Sequence, residues 1–163
     1  MNITRRVLIA GAAIGLSGCA SKLRAYTGPE VTRIQVLKEK RVMQLLSGAS
    51  LLKAYNFELG FEPTGHKQIE GDGRTPEGAY RINRRNPNSR FHLSLGISYP
   101  NNADRRRAYA MGKSPGGDIF IHGTPKTYAG QNDWTWGCIA VTNDEMEEIY
   151  SMVNEGTQIV LFP

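Results

Sequence analysis

Cys138 and His122 are the residues of this chain whose types and spacing could do covalent chemistry. Cys138 lies in Trp136-Gly137-Cys138-Ile139, sixteen residues after His122 in Ile121-His122-Gly123, and the only other cysteine is Cys19. A thiol becomes a useful nucleophile when a nearby imidazole takes its proton, and the fold, not sequence adjacency, brings the two together. An ion pair between them would hold the thiolate well below the pKa of about 8.5 of a free thiol. A lone cysteine also reads as a small buried hydrophobe. His66, beside Lys67, reads as a surface histidine without a role, and His92, ahead of a strand, as a candidate to line the cleft. The three histidines and one thiol lack His-x-x-x-His or Cys-x-x-Cys spacing, so metal catalysis is not expected and no cofactor is invoked.

The residues ahead of the domain set its compartment. Residues 1–18 read as a signal peptide: Arg5-Arg6, an apolar stretch from Val7 to Leu16, then Leu16-Ser17-Gly18-Cys19. The last four residues resemble a bacterial lipobox, in which cleavage before Cys19 leaves that residue acylated. Thr4-Arg5-Arg6-Val7-Leu8-Ile9 partly resembles a twin-arginine signal, and a plain secretory signal fits as well. An ordinary signal cleaved nearby is the alternative. Residues 19–30 then form a lipid-anchored tether and residues 31–163 the working domain, exported to the periplasmic side. Ala20 after Cys19 resembles outer-membrane sorting. Removing 18 of 163 residues leaves 145, enough for one core, and losing Arg5 and Arg6 takes the net charge from +5 to +3. That mild excess, with Arg105-Arg106-Arg107 as its densest patch, gives no nucleic-acid motif.

The domain reads as short strands with two helices. Arg33–Leu37 and Val42–Leu46 form a hairpin around the charged turn Lys38-Glu39-Lys40, and Leu51–Leu59 alternates so that Tyr55, Phe57 and Leu59 face inward. A loop with three glycines spans Gly71–Gly78, followed by strands at Ala79–Asn83 and His92–Ile97. Asn101 or Asn102 caps a helix with Ala103, Arg107, Ala108 and Met111 at helical spacings. Asp118–Ile121 is a strand delivering His122. Thr142 and Glu145 form a capping box for a second helix, whose apolar face is Met146, Ile149, Tyr150 and Val153. Gly156 ends it, and Gln158–Phe162 is a closing strand.

At these residues the chain resembles the L,D-transpeptidase catalytic domain of the YkuD type. That family joins a histidine-glycine strand end to a Ser/Thr-x-Gly-Cys motif, matched here by His122-Gly123 and Thr135-Trp136-Gly137-Cys138. Gly73-Arg74-Thr75-Pro76-Glu77-Gly78-Ala79-Tyr80 resembles its threonine-proline-glycine turn. The resemblance implies a mainly β, β-sandwich-like single domain with two short helices. It implies that Cys138 attacks the carbonyl after the L-centre of meso-diaminopimelate in a peptidoglycan tetrapeptide stem, releasing D-alanine. His122 would be the base, oriented by the Gly123 carbonyl, and the amides of Gly137 and Cys138 the oxyanion donors. An amine from another stem, the lysine of a wall-linked lipoprotein, or water would take the acyl group.

Two positions depart from the family. Many members carry His where Trp136 stands and Arg where Ala140 stands, so Trp-Gly-Cys-Ile-Ala marks a distinct branch whose relatives include enzymes that release wall-linked lipoprotein. Arg74 or Arg81 would replace the missing charge. Thr135, Trp136, Gly137, Arg74 and His92 are therefore the substrate-side residues, with Trp134 and Trp136 on one side of Cys138 as stacking surfaces or as core. The other readings are a peptidoglycan hydrolase or amidase, a catalytically silent wall-binding lipoprotein, and a lipid-anchored interaction protein.

Overall fold

A computed structural model describes residues 22–163; the expected signal peptide and Cys19 lie outside the described residues. The hairpin forms as expected. β1 (Arg33–Leu37) pairs antiparallel with β2 (Val42–Ser47), and β2 with β3 (Ser50–Asn56). Ile34, Val36, Met43 and Leu45 point inward at period two, the signature of a half-buried strand. β4 (Gly78–Asn86), β5 (Ser94–Ile97), β6 (Phe120–Gly123), β7 (Ile139–Val141) and β8 (Gln158–Phe162) complete one eight-stranded sheet of order β3-β2-β1-β8-β4-β5-β6-β7.

The closing strand is thus central. β8 runs parallel to β1 and antiparallel to β4, joining the N-terminal hairpin to the strands that carry His122. Beyond β3 the chain leaves regular pairing, yet Tyr55, Phe57 and Leu59 stay buried, and isolated bridges join Glu58 to Ala140 and Gly60 to Thr135. These bridges bring the two ends of the sheet together into a nearly closed, mainly β barrel, which limits the exposed edge.

The helices differ in what they bury. α2 (Asn143–Met152) has the expected capping box: Thr142 Oγ1 accepts from the Glu145 N–H, and the Glu145 carboxylate accepts from the Thr142 N–H. It packs Met146 and Ile149, both fully buried, onto β5 and β6. α1 (Asn102–Ala110) is capped by Asn101, but its expected contact face is not the one used. Ala108 and Asp104 are buried, while Met111 is exposed. A carboxylate holds this helix in place of an apolar stripe: Asp104 Oδ2 accepts from Tyr80 Oη at 2.8 Å and from the Asn101 N–H at 2.9 Å. Asp104 Oδ1 also lies 3.1 Å from His66 Nε2, and His66 Nδ1 accepts from the Glu77 N–H at 2.9 Å. His66 is therefore a largely enclosed tie between loop and helix, not a surface residue.

The loop from Phe61 to Glu77 has no regular structure, and two buried lysines fasten it. Lys38, in the expected charged turn, is buried and donates to Glu77 Oε1 at 2.7 Å, Gly65 O at 2.6 Å and Thr75 O at 3.3 Å. Lys67 donates to Asp72 Oδ1 at 2.8 Å and to Ile69 O at 3.0 Å. Pairing and hydrogen bonding are what permit a buried ammonium. They also fix the path of Thr75 toward the candidate site.

Candidate active site

His122 lies on β6, and Cys138 immediately precedes β7, the strand paired with β6 in parallel. The register of β6 on β7 pairs Ile121 with Ile139 and His122 with Ala140. Cys138 stands one residue before that ladder, and its Sγ lies 3.6 Å from Asp118 O, two residues before β6. The imidazole is buried, and its Nδ1 lies 2.8 Å from the carbonyl of Gly123. Donation from Nδ1–H to that carbonyl fixes the tautomer and leaves Nε2 with a free lone pair. The ring of Phe91 stacks on the imidazole at 4.5 Å, and Trp134 lies against it at 5.5 Å.

Gly123 sits in a tight place: a Cβ there would lie 2.3 Å from Asn143 Oδ1 and 3.0 Å from Phe91 O, so a side chain requires Asn143 to turn away and the backbone to give slightly. Asn143, at the start of α2, was not legible as a neighbour of the site from sequence.

The thiol is held by its own loop. Thr135 Oγ1 donates to Cys138 O at 2.8 Å and accepts from the Gly137 N–H at 3.1 Å. Thr75, fully buried, donates its hydroxyl to Gly137 O at 2.9 Å. Gly137 has φ +111°, and a Cβ would meet Arg74 O at 2.4 Å, so both backbone conformation and close approach require glycine. Gly60 completes the contact: its Cβ would lie 1.9 Å from Gly73 O and 2.6 Å from Gly137 N. Three chain segments meet there backbone to backbone. Because the Gly137 amide is taken by Thr135, it is not free to stabilise an oxyanion, which leaves the Cys138 amide of the expected pair.

The resting pair is neutral. Burial pushes the Cys138 thiol up to about 11, opposed by the Phe120 N–H, and the Asp118 charge adds to the rise. Cys138 Sγ donates to Asp118 O at 3.6 Å, not to His122. Burial likewise holds His122 below its ordinary value, against the Gly123 hydrogen bond. Both shifts favour a neutral thiol and a neutral imidazole over the ion pair considered from sequence.

The other sequence-stated residues scatter. Trp136 is 72% exposed and meets Phe61 edge-on at 5.1 Å; Trp134 stacks face to face on Tyr128 at 4.2 Å. The two tryptophans therefore have separate neighbours, and the left-handed Gly137 interrupts an extended path between Trp136 and Cys138. Arg74 abuts the nucleophile loop through its backbone, while its guanidinium is 3.8 Å from Glu62. Arg81 donates to Gly156 O, on the β8 side of β4. His92 has φ +72° and places Nε2 2.9 Å from Glu147 Oε1 on α2. Glu147 also takes Arg24 at 2.8 Å, and Lys22 donates to His92 O, so the chain from Lys22 onward lies against α2 and the residue next to Phe91.

The domain is mainly β, with His122 on β6 and Cys138 directly before the parallel strand β7. Residues 31–161 match the L,D-transpeptidase catalytic domain, YkuD, and the chain belongs to that family. It is 32% identical over 126 residues to "Putative L,D-transpeptidase YafK" of Escherichia coli K12, covering 74% of this chain and 46% of that protein. Among solved structures, it is similar to the helical cell shape determining protein Pgp2 from Campylobacter jejuni, with a TM-score of 0.65, 25% identity, and coverage of 83% of this chain and 49% of that one. Bd1075 of Bdellovibrio bacteriovorus gives a TM-score of 0.60 at 25% identity, covering 82% of this chain and 48% of that one. The chain thus spans about half the length of the relatives it matches.

Proposed function

We propose that this protein is a cysteine acyl-transfer enzyme acting on peptidoglycan stem peptides with a meso-diaminopimelate donor. Cys138 attacks the carbonyl that follows the L-centre as His122 Nε2 takes the thiol proton. The tetrahedral intermediate collapses with the proton passed to the departing D-alanine amine, leaving a thioester on Cys138. The Cys138 amide receives the oxyanion. An amine of a second stem or of a wall-linked lipoprotein, or water, then attacks the thioester, deprotonated by the same imidazole. The observation that supports this reading is the Nδ1–Gly123 O bond of 2.8 Å, which leaves Nε2 as the free lone pair of a neutral base on β6, the strand paired in parallel with β7 directly after Cys138. A neutral thiol is compatible with it, because proton transfer and attack can coincide, as in general-base catalysis.

The signal peptide at residues 1–18, acylation of Cys19 and a tether to residue 30 would place the domain at the periplasmic side of the envelope, on the outer membrane. The Trp136-Gly137-Cys138-Ile139-Ala140 sequence assigns it to a separate branch of the family. The test is product analysis by mass spectrometry with the purified full chain and Cys138→Ala. Loss of D-alanine from disaccharide-tetrapeptide with a new cross-link identifies the transferase. Release of a lipoprotein-linked or cross-linked fragment with uptake of water identifies the hydrolase. No Cys138-dependent change in either, with muropeptide still bound, identifies a silent wall-binding protein and overturns the proposal.

A further inference from the structure

Ala140 brings no charge to the site, and neither Arg74 nor Arg81 turns its guanidinium toward the thiol. Arg84 instead reaches Asp118, and strand register sets its place. β4 on β5 pairs Arg84 with Gly96, and β5 on β6 pairs Gly96 with Phe120. Direct cross-strand partners share a face, so Arg84, Gly96 and Phe120 stand in one row.

Gly96 leaves a gap in that row, and Arg84 crosses it. A Cβ at Gly96 would lie 2.7 Å from Asn83 Oδ1, 3.2 Å from Arg84 Cβ and 3.4 Å from Phe120 Cε1. The guanidinium carbon sits 4.8 Å from the centre of the Phe120 ring, and Nη2 is 3.1 Å from Asp118 Oδ1. The backbone carbonyl of the same Asp118 is the acceptor of the Cys138 thiol. The register shift between Ile82 and Arg84 is a bulge, a device that re-aims side chains beside sites. It turns Asn83 and Arg84 onto a cavity of about 290 Å³ shared with Gly96, Asp118 and Phe120. Asp118 holds a left-handed φ of +52°, uncommon outside glycine. Its ion pair with Arg84 is open to water, the side chains being 86% and 56% exposed, so it adds little stability and separates readily.

We propose that Arg84, Asp118 and Asn83 form a subsite for a free α-amino-acid end of the substrate. The guanidinium takes the carboxylate, the Asp118 carboxylate takes the ammonium, and the Asn83 amide bonds to either. A cation and an anion one hydrogen bond apart match an ammonium and a carboxylate carried on one carbon, and each replaces the partner it loses. The proposal rests on the acyl-transfer reading and names the part of the stem peptide seated beside the attacked carbonyl: the distal centre of the diaminopimelate side chain, which carries both groups.

Binding and turnover separate the two ideas. Calorimetry on the full chain carrying Cys138→Ala would compare a tetrapeptide stem bearing the free end with one whose side-chain amine is acetylated and carboxylate amidated. Capping is expected to weaken binding about tenfold to hundredfold, the range of a charged hydrogen-bonded contact. Adding Arg84→Ala should weaken the free-ended peptide by a similar factor and leave the capped one unchanged. Arg84→Lys should restore only part, since an ammonium lacks the planar fork. Asp118→Asn, which keeps the shape, should reduce preference for the free amine alone, and it serves if Arg84→Ala fails to fold. Equal weakening of both peptides, no effect on either, or no binding of either overturns the subsite. In Cys138-intact protein, turnover with a KM indifferent to Arg84→Ala removes the subsite and leaves acyl transfer. Arg84-dependent binding with no turnover removes acyl transfer and leaves the subsite.

Discussion

Thr75→Val isolates the hydrogen bond that carries the nucleophile loop. Thr75 is fully buried, and its hydroxyl donates to Gly137 O at 2.9 Å; Gly137 is itself buried. Valine keeps the shape and removes the donor, so the carbonyl one residue before Cys138 loses its partner without gaining water. Leaving a buried acceptor unsatisfied costs about 1–3 kcal/mol. At 1.36 kcal/mol per tenfold, a loss of about 2 kcal/mol felt wholly in the transition state slows kcat/KM by about thirtyfold. Part of that cost appears instead as stability, because Gly60, Gly73 and Gly137 pack backbone to backbone at the same place. The assay pairs urea unfolding with the alkylation rate of Cys138 and kcat/KM on a tetrapeptide stem. Thr75→Ser, which retains the hydroxyl, should recover most of the activity while losing some stability from the missing methyl. If Thr75→Val matches the parent in both stability and alkylation rate, or if serine fails to rescue, the bond does not position the loop.

Other outcomes follow from the same geometry. Alkylation of Cys138 plotted against pH should inflect near 11, later than a free thiol, because burial favours the neutral form; an inflection below 8 would mean the resting pair is ionised. The folded thiol pKa lies above the unfolded one, so stability from this group is present at low pH and lost as pH rises from about 8.5 toward 11. His122 titrates in the opposite sense: its folded pKa is depressed, so its contribution is present above about 6.5 and falls away as pH drops below that value. Urea midpoints measured across pH in Cys138→Ala and His122→Gln would separate the two. Phe91→Ala opens the stacked face of His122 to water, so the imidazole pKa by NMR should rise toward its ordinary value; an unchanged titration would show that the ring does not shield it. Gly60→Ala should destabilise by more than about 3 kcal/mol, beyond ordinary overpacking, because the new methyl meets backbone that cannot rotate away; wild-type stability by urea unfolding would refute the close approach.

Local chemistry in the chain was legible, and long-range contact less so. The Asn101 and Thr142 caps and the alternation of β1 and β2 are patterns within a few residues, and each formed where expected. Asp104 could not be read as the anchor of α1, because its partners Tyr80 and His66 lie more than twenty residues away in sequence. Lys38 lies in the expected turn, but the burial of its side chain was not legible, because only the returning loop at Gly65 and Glu77 provides its enclosure. Arg84 was invisible for a related reason. Its place depends on a bulge and on two strand registers, and a single slip would send the side chain to the other face. An extended path from Trp134 to Cys138 is interrupted at Gly137, whose positive φ no pattern of residue types announces beyond the glycine itself.

The central claim is that Cys138 forms a thioester with a stem peptide through His122. Intact-protein mass spectrometry during turnover of a disaccharide-tetrapeptide tests it most directly. The expected result is an adduct of the substrate less D-alanine, mapped to Cys138, absent in Cys138→Ala and strongly reduced in His122→Gln. Turnover retained in Cys138→Ala, or an adduct that forms equally well in His122→Gln, would contradict it.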